Sequence, residues 1–506
     1  MEIPENHSYI VARHWLRLVG VTFVSWIAVA ILLWPSQANV LNWDEVDYLN
    51  AARQGVIGNA LERNSRSAVE FLRFAQAKKS GATYVSEGYD ENVDPFLIRH
   101  FHPPLVIYLQ AAIVGWSNHP GERLVRAVQL LGGFVFLFAL FASYRNLSGG
   151  FHWPGLLIVA VLGVWMCFFL FSSVQFHGWA AIWSLATAAF LSTWLAKPEP
   201  WRGILVCLSV ALSTLTLETG LIVLVGVLVS VFFWKPQIDS RQKRWRLYAI
   251  GLLLIAVFTF LLWPGGLIKI SPLKTLAMHI YRVRLGEEYS GVSFVSIGKS
   301  LAPILIVIVP ACVWVVYARR DEARRWGPFV TIGAIYAVTL IKFAIGTHYL
   351  LPALAPLVTV TGYGIDQVRR GFPRATIAVA TVILLGYTVF ARHSPGANGQ
   401  WRRDLDVLRE ELRGRQTLAV GAHIFHYYLG ENYDIRPIRT LYDGELIKRR
   451  NGQNEPLSLA DVTGNVIVIV DPPYNRGVKA PEAKLLAGCS RKAANMVRVY
   501  DCGKPF

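Results

Sequence analysis

Apolar runs long enough to cross a bilayer recur along most of the chain, and no other feature limits its fold so strongly. Val19 to Trp34 is the first. Others follow near 126–143, 153–172, 178–195, 203–217, 219–234, 247–264, 299–317, 328–346, 350–366 and 374–391. A helix needs about 20 predominantly apolar residues to span the hydrocarbon core, and a soluble chain rarely shows more than one such run. Eleven spans are therefore expected, in keeping with 54% hydrophobic residues and a mean hydropathy of +0.39.

One segment decides the topology. Pro104 to Trp116 is apolar for only about 13 residues, too short to span and suited to an interfacial or re-entrant helix. If it crossed, every later loop would change side. Treated as interfacial, it leaves five basic loops on one side: Arg145; Lys197 and Arg202; Lys235, Arg241, Lys243, Arg244 and Arg246; Arg319, Arg320, Arg324 and Arg325; Arg369, Arg370 and Arg374. Arg13 and Arg17 precede the first span on that same side, which the positive-inside rule makes cytoplasmic. The net charge of +17 thus sets orientation. Nucleic-acid binding would need a basic face on a soluble domain, and is not implied.

The opposite side then receives the polar stretch 35–103 with its basic, helical-looking piece from Ser65 to Lys79. It also receives the junction Ser173 to Gly178, the break at Glu218, the loop 265–298, the turn Gly346 to Tyr349, and everything after Arg392. Ser36-Gln37-Ala38 follows the first run like a cleavage site, yet the run is expected to stay as an anchor, because cleavage would free the polar stretch behind it. From Arg392 the composition changes. Arg402 to Arg413 reads as an amphipathic helix, and Thr417 to Gly421, Val466 to Val470 and Met496 to Tyr500 read as short buried strands. The expected fold is an all-α polytopic membrane domain over 1–391, with interfacial helices in its first external loop, and a small C-terminal α/β domain over 392–506. Of the five cysteines, Cys167, Cys207 and Cys312 lie in apolar runs as packing residues, while Cys489 and Cys502 lie in the tail, where a disulfide is compatible with an external location.

Three carboxylates stand just beyond the first span, in Asn42-Trp43-Asp44-Glu45-Val46-Asp47-Tyr48-Leu49-Asn50-Ala51-Ala52-Arg53. On a helix entering here, Asp44, Asp47 and Tyr48 would share a face. Taken alone this is a capping region, with Asn42 or Asp44 accepting from free backbone donors. Two later stretches change the reading: Arg99-His100-Phe101-His102-Pro103-Pro104-Leu105, and Tyr349-Leu350-Leu351-Pro352.

In this order the three stretches resemble the GT-C superfamily of membrane glycosyltransferases, in the branch of the bacterial aminoarabinose transferases and the protein O-mannosyltransferases. That branch carries an Asp-Glu-x-x-Tyr-x-x-x-Ala-Arg type motif in its first external loop, then Lys- or His-Pro-Pro-Leu, then Tyr-Leu-Leu-Pro. Asp44-Glu45, Tyr48, Ala52-Arg53, His102 to Leu105 and Tyr349 to Pro352 match. The resemblance covers roughly residues 15 to 365 and leaves the tail outside. It implies a multi-pass protein of the bacterial inner membrane, with its active site and C-terminal domain in the periplasm. It also implies a hexosyl or pentosyl transfer from a polyprenyl-phosphate-linked donor to a lipid or cell-envelope glycan such as lipopolysaccharide, with inversion.

Such a transfer needs a base for the acceptor hydroxyl and cations for the leaving phosphate. The resemblance makes Asp44 the base, with Glu45 supporting it or orienting the acceptor. Candidates for the donor phosphate are His102, Lys342, Arg282, Arg284, His348 and Tyr349. Arg282 and Arg284 read equally well as a solvated or headgroup-facing patch. Lys342 is either a snorkelling lysine or the lysine that the family often places before Tyr-Leu-Leu-Pro. His348 stands where relatives often have arginine. Asp47, Tyr48, His100, His177 and Glu218 complete the candidate pocket. His177 occupies a junction where many relatives carry an arginine or a second aspartate, so that second acid is not carried over. Glu218 interrupts an apolar stretch, which reads either as a functional acid or as a helix cap at a wet boundary. No cofactor is called for, the lipid-linked sugar being substrate; no metal-ligand spacing is present, and dependence on a divalent metal stays open. The expected partners are that donor, the acceptor and membrane lipids, with no nucleic acid. The rival class is a transporter or flippase for a lipid-linked saccharide, which would place charges deep in its spans and show repeated halves.

Overall fold

The computed structural model describes residues 7–41, 45–46, 48–49, 52, 69, 103–114, 121–236, 238, 240–263, 265–273, 275–277, 294–340, 347–368, 396–430, 432–440, 446–450, 453–470, 485–493 and 497–503. Its membrane part is built from α1 (His7–Gln37), α2 (Leu105–Val114), α3 (Glu122–Ser148), α4 (Trp153–Leu170), α5 (Phe176–Ala196), α6 (Pro200–Thr216), α7 (Gly220–Trp234), α8 (Arg241–Leu262), α9 (Phe294–Ala318), α10 (Ala323–Leu340) and α11 (Leu351–Gln367). Among the described residues six helical segments are long and apolar enough to cross a membrane: Trp15–Pro35, Glu122–Ser148, Trp153–Leu170, Phe176–Ala196, Gln242–Leu262 and Leu301–Ala318. α6 and α7 are shorter apolar helices, and the expected span 374–391 lies outside the described residues.

Local chemistry sets the helix ends. Pro154, Pro200 and Pro352 stand in the first turns of α4, α6 and α11, where the missing N–H removes no helical hydrogen bond. α3 stops at Gly149, whose φ of 73° is left-handed and costs glycine little. Within the bundle α5 is central. It packs on α3, α6, α10 and α11, and is buried on most of its surface. Its polar groups find partners inside: Ser184 Oγ donates to Pro352 O at 2.7 Å, and Thr187 Oγ1 lies 3.0 Å from Ser209 Oγ. α8 is the opposite case, with 6% of its apolar window buried, as a helix facing lipid requires.

The connections sort to two ends. At one end the basic loops meet: Arg325 donates to Asn146 O and Leu147 O, Arg324 to Trp234 O and Lys235 O, and Arg202 to Thr193 O. Asp366 closes the same end, accepting from Tyr144 Oη and from Gly155 N. At the other end, Arg126 near the start of α3 donates to Gln37 O at the close of α1. The chain between α1 and α3 therefore leaves and returns at one end. α2, ten residues long, extends about 15 Å, half the thickness of the hydrocarbon core.

After the bundle come α12 (Gly396–Glu411), β1 (Thr417–Val420), α13 (Ala422–Leu429), β2 (Ile435–Thr440), β3 (Leu446–Arg450), β4 (Gln453–Pro456), α14 (Leu459–Val462), β5 (Val466–Val470), β6 (Ser490–Ala493) and β7 (Val497–Asp501). The strands form one sheet in the order β4-β3-β2-β1-β5-β7-β6, with β1 parallel to β2 and β5 and the other pairs antiparallel. The link β1-α13-β2 is a crossover unit, which explains the parallel pair. One apolar cluster runs from the membrane helices into Trp401, Leu405, Leu408, Phe425, Val466 and Val499, so the sheet region shares its core with the bundle.

Cys489 and Cys502 are disulfide-bonded, tying the turn before β6 to the end of β7 across 13 positions. A loop of that size is expected to add about 2 to 3 kcal/mol on the chain-entropy account. In intact, non-reduced protein both thiols should resist alkylation, and reduction should open the β6–β7 corner to protease. Ready alkylation of either cysteine before reduction would contradict the bond.

Candidate functional site

Arg126 lies one turn into α3 and is 3% exposed, facing a carboxylate with no exposure at all. Its Nε donates to Glu45 Oε1 at 2.9 Å and its Nη2 to Oε2 at 2.7 Å, the planar two-point contact that arginine makes with carboxylates. The remaining donors reach the backbone ahead of the acidic loop: Gln37 O at 3.2 Å, Asn39 O at 2.6 Å and Val40 O at 3.3 Å. Glu45 Oε1 accepts a further bond from Val174 N at 2.9 Å. One arginine thus fixes the chain from residue 37 to residue 45 against α3 and against the junction between α4 and α5.

The next contacts continue along that junction. The Tyr48 ring packs edge-on against Phe176, centroids 4.5 Å apart. His177, buried at the start of α5, lies 4.7 Å from the His348 ring and 4.4 Å from the Tyr349 ring. His348 and Tyr349 form a 3-10 turn ahead of α11, which Ser184 holds through Pro352 O. Three separate stretches singled out in the sequence therefore meet at one end of the bundle. Burial pushes His348, in the turn outside the helices, down to about 4. Its ring is neutral near pH 7: it can donate one N–H but supplies no fixed charge.

The structure places Glu45, Tyr48, His177, His348 and Tyr349 in this one region. Glu218 stands at the break between α6 and α7, where its neighbour Thr219 hydrogen-bonds Tyr336 of α10. Asp44, Asp47, His100, His102, Arg282, Arg284 and Lys342 lie outside the described residues. For Glu45, both oxygens are engaged in a dry site, by Arg126 and, on Oε1, by Val174 N. Arg126 is absent from the sequence candidates because an arginine at the edge of an apolar run reads as an ordinary interface residue. Among the described residues no group of three or more His, Cys, Asp or Glu could hold a metal ion.

The tail also reaches this region. Tyr428 Oη of α13 accepts from Leu41 N at 2.7 Å, and Arg402 of α12 donates to Ala38 O at 2.9 Å and to Glu122 at 2.8 Å. The base of the acidic loop is therefore held by Arg126 and by α12 and α13 together.

A helical bundle of this kind, followed by a small mixed sheet, is similar in fold to solved structures over most of its length. ArnT from Cupriavidus metallidurans in the apo state matches 96% of this chain and 99% of its own, with a TM-score of 0.54 and 13% identity. The same protein bound to undecaprenyl phosphate matches 97% and 99%, with a TM-score of 0.52 and 13% identity. The archaeal oligosaccharyltransferase AglB from Archaeoglobus fulgidus, in complex with an inhibitory peptide and a dolichol-phosphate, matches 83% of this chain and 64% of its own, with a TM-score of 0.50 and 12% identity. At these identities the likeness is one of fold. No family model matches the sequence, and no curated protein sequence matches it.

Proposed function

We propose that the chain is a GT-C glycosyltransferase that moves a sugar, a hexose or a pentose, from a polyprenyl-phosphate-linked donor to a lipid or cell-envelope glycan on the periplasmic side, with inversion. The observation that carries this reading is the Arg126–Glu45 pair, which fixes the residue next to Asp44 against the junction bearing His177, itself packed on the turn bearing His348 and Tyr349. Asp44 takes the proton of an acceptor hydroxyl as its oxygen bonds to the anomeric carbon. The bond from that carbon to the phosphate oxygen breaks on the opposite face, and polyprenyl phosphate leaves. His102, Lys342, Arg282 and Arg284 are the proposed cations for this phosphate, with Tyr349 and the neutral His348 as hydrogen-bond donors. Asp47, His100 and Glu218 are kept as pocket residues. The structures of relatives bound to undecaprenyl phosphate and to a dolichol-phosphate support a donor of this class.

The division into a transferase domain, 1–391, and a periplasmic domain, 392–506, belongs to the same proposal. The disulfide in the tail favours that side, since an oxidising compartment preserves such a bond. A reporter active only in the periplasm should work when fused after Phe506 and fail when fused near Arg244. The reverse pattern would move the site to the cytoplasm and remove the proposed acceptors.

Turnover separates enzyme from transporter. In detergent, with no compartments to cross, purified protein given a polyprenyl-phosphoryl sugar and envelope lipid should release free polyprenyl phosphate. A flippase would leave the glycosyl phosphate bond intact there and move the lipid only across sealed vesicles.

A further inference from the structure

The face of α3 that carries Arg126 continues inward to Gln129, and Gly132 lies beside Gln129 three residues further on. Gln129 lies three residues on, so it sits about 4.5 Å deeper below the ion pair. It has no exposure, and neither end of its amide finds a hydrogen-bond partner among the described residues. α2 packs against α3 and presents a second glutamine in the same condition. Gln110 is also fully buried, on the α2 face it shares with Val106 and Ile113, and both ends of its amide are likewise without a partner there. A third group stands on α5. The Trp179 ring comes within 3.0 Å of where a Cβ on Gly132 would lie, and its Nε1 is buried without a partner among the described residues.

These groups have a common chemical character. Each amide offers two donors and an acceptor, and the indole adds one donor. None carries charge. A buried polar group left unpaired costs about 1 to 3 kcal/mol, whereas methionine or leucine would fill the same volume without that cost. Stability therefore gives no reason for two glutamines here. A phosphate would want cations, and a lipid chain would want no polar atoms. A neutral ring bearing several hydroxyls, each able to donate and accept, answers the whole set, and an indole beside it gives such a ring an apolar wall.

We propose that Gln110, Gln129 and Trp179 form the subsite for the sugar of the donor, with Gln129 about one turn inward of the Arg126–Glu45 pair. This rests on the reading of the donor as a polyprenyl-phosphate-linked sugar. Sugar selectivity then resides on α2 and α3, while the lipid phosphate is held by other residues.

The test compares the bare carrier with sugar-linked forms. Equilibrium binding to purified full-length protein is measured for polyprenyl phosphate and for a panel of polyprenyl-phosphoryl hexoses and pentoses. Wild type should bind at least one sugar-linked form about tenfold or more tighter than the bare carrier, the scale of one or two good hydrogen bonds. Gln129→Met and Gln110→Met should each remove most of that increment, leave affinity for the bare carrier unchanged, and melt no lower than wild type. Gln129→Asn and Gln110→Asn, which withdraw the amide by one methylene, should lose it too, and they serve if a methionine variant fails to fold. Retention of the full increment in the variants would assign the amides to buried water and overturn the subsite, with the donor reading intact. Equal loss of bare carrier and sugar-linked form would also overturn it. Failure of wild type to bind even the bare carrier would overturn the donor reading, and the subsite with it.

Discussion

Arg126→Met is expected to destabilise the protein by about 3 to 5 kcal/mol and to abolish turnover, the largest stability effect that the structure assigns to one side chain. The reason is what remains behind. Glu45 keeps its charge with no exposure and without its two-point cation, while the carbonyls of Gln37, Asn39 and Val40 lose the Arg126 donor. Arg126→Lys should rescue little, because a lysine is a point charge on a flexible stem and cannot serve a carboxylate at two points and three carbonyls together. The double variant Arg126→Met/Glu45→Met should recover a good part of the stability by removing the orphaned charge, yet stay inactive, because the loop is no longer tied to α3. Apparent melting in detergent, followed beside protease sensitivity between residues 37 and 45, reads both effects. A singly substituted Arg126→Met protein that melts and turns over like wild type would show that the pair does not hold the site.

The bundle was legible in the sequence because hydrophobicity in a membrane is a strong, one-dimensional signal. The expected spans 153–172, 178–195, 203–217 and 219–234 fall on Trp153–Leu170, Phe176–Ala196, Pro200–Thr216 and Gly220–Trp234, each within a few residues. Pro104 to Trp116 is a helix over Leu105–Val114, and the meeting of α1 and α3 at one end agrees with its not crossing. The sheet was less legible. β1, β5 and β7 are apolar and stood out, but β2, β3, β4 and β6 read Ile435-Arg-Pro-Ile-Arg-Thr440, Leu446-Ile-Lys-Arg-Arg450, Gln453-Asn-Glu-Pro456 and Ser490-Arg-Lys-Ala493. Strands toward the edges of a sheet keep a solvated face, so charge interrupts the alternation that would mark them.

The site was legible by motif and not by geometry. Glu45, Tyr48, His177, His348 and Tyr349 were marked in the sequence; three of these five are joined by ring contacts, Tyr48 reaches them through Phe176, and Glu45 through Val174 and the Arg126 pair. Arg126, Gln110 and Gln129 carried no such mark. Glutamines inside apolar helices resemble interface residues until their burial is known, and the partner of a buried carboxylate 81 positions away cannot be read from spacing.

Asp44 carries the largest expected effect on chemistry. Its neighbour Glu45 is fixed, so Asp44 stands one residue from a point that Arg126 and Val174 hold in place. Asp44→Asn keeps the size and hydrogen-bonding shape of the side chain, and an asparagine caps a helix about as well as an aspartate. A capping role would therefore survive the change. A general base would not, because an amide cannot take the acceptor's proton, and loss of such help slows turnover by roughly two to four orders of magnitude. Glu45→Gln should act differently: it weakens the tie to Arg126, and is expected to lower stability together with rate.

The most direct measurement is single-turnover release of polyprenyl phosphate by wild-type and Asp44→Asn protein, with purified donor in excess acceptor, beside binding of bare polyprenyl phosphate by each. Binding should be unchanged and the rate about 100- to 10,000-fold lower for the variant. Release at the wild-type rate by Asp44→Asn would rule out Asp44 as the base, leaving the acidic loop a structural cap and the transporter reading the stronger of the two.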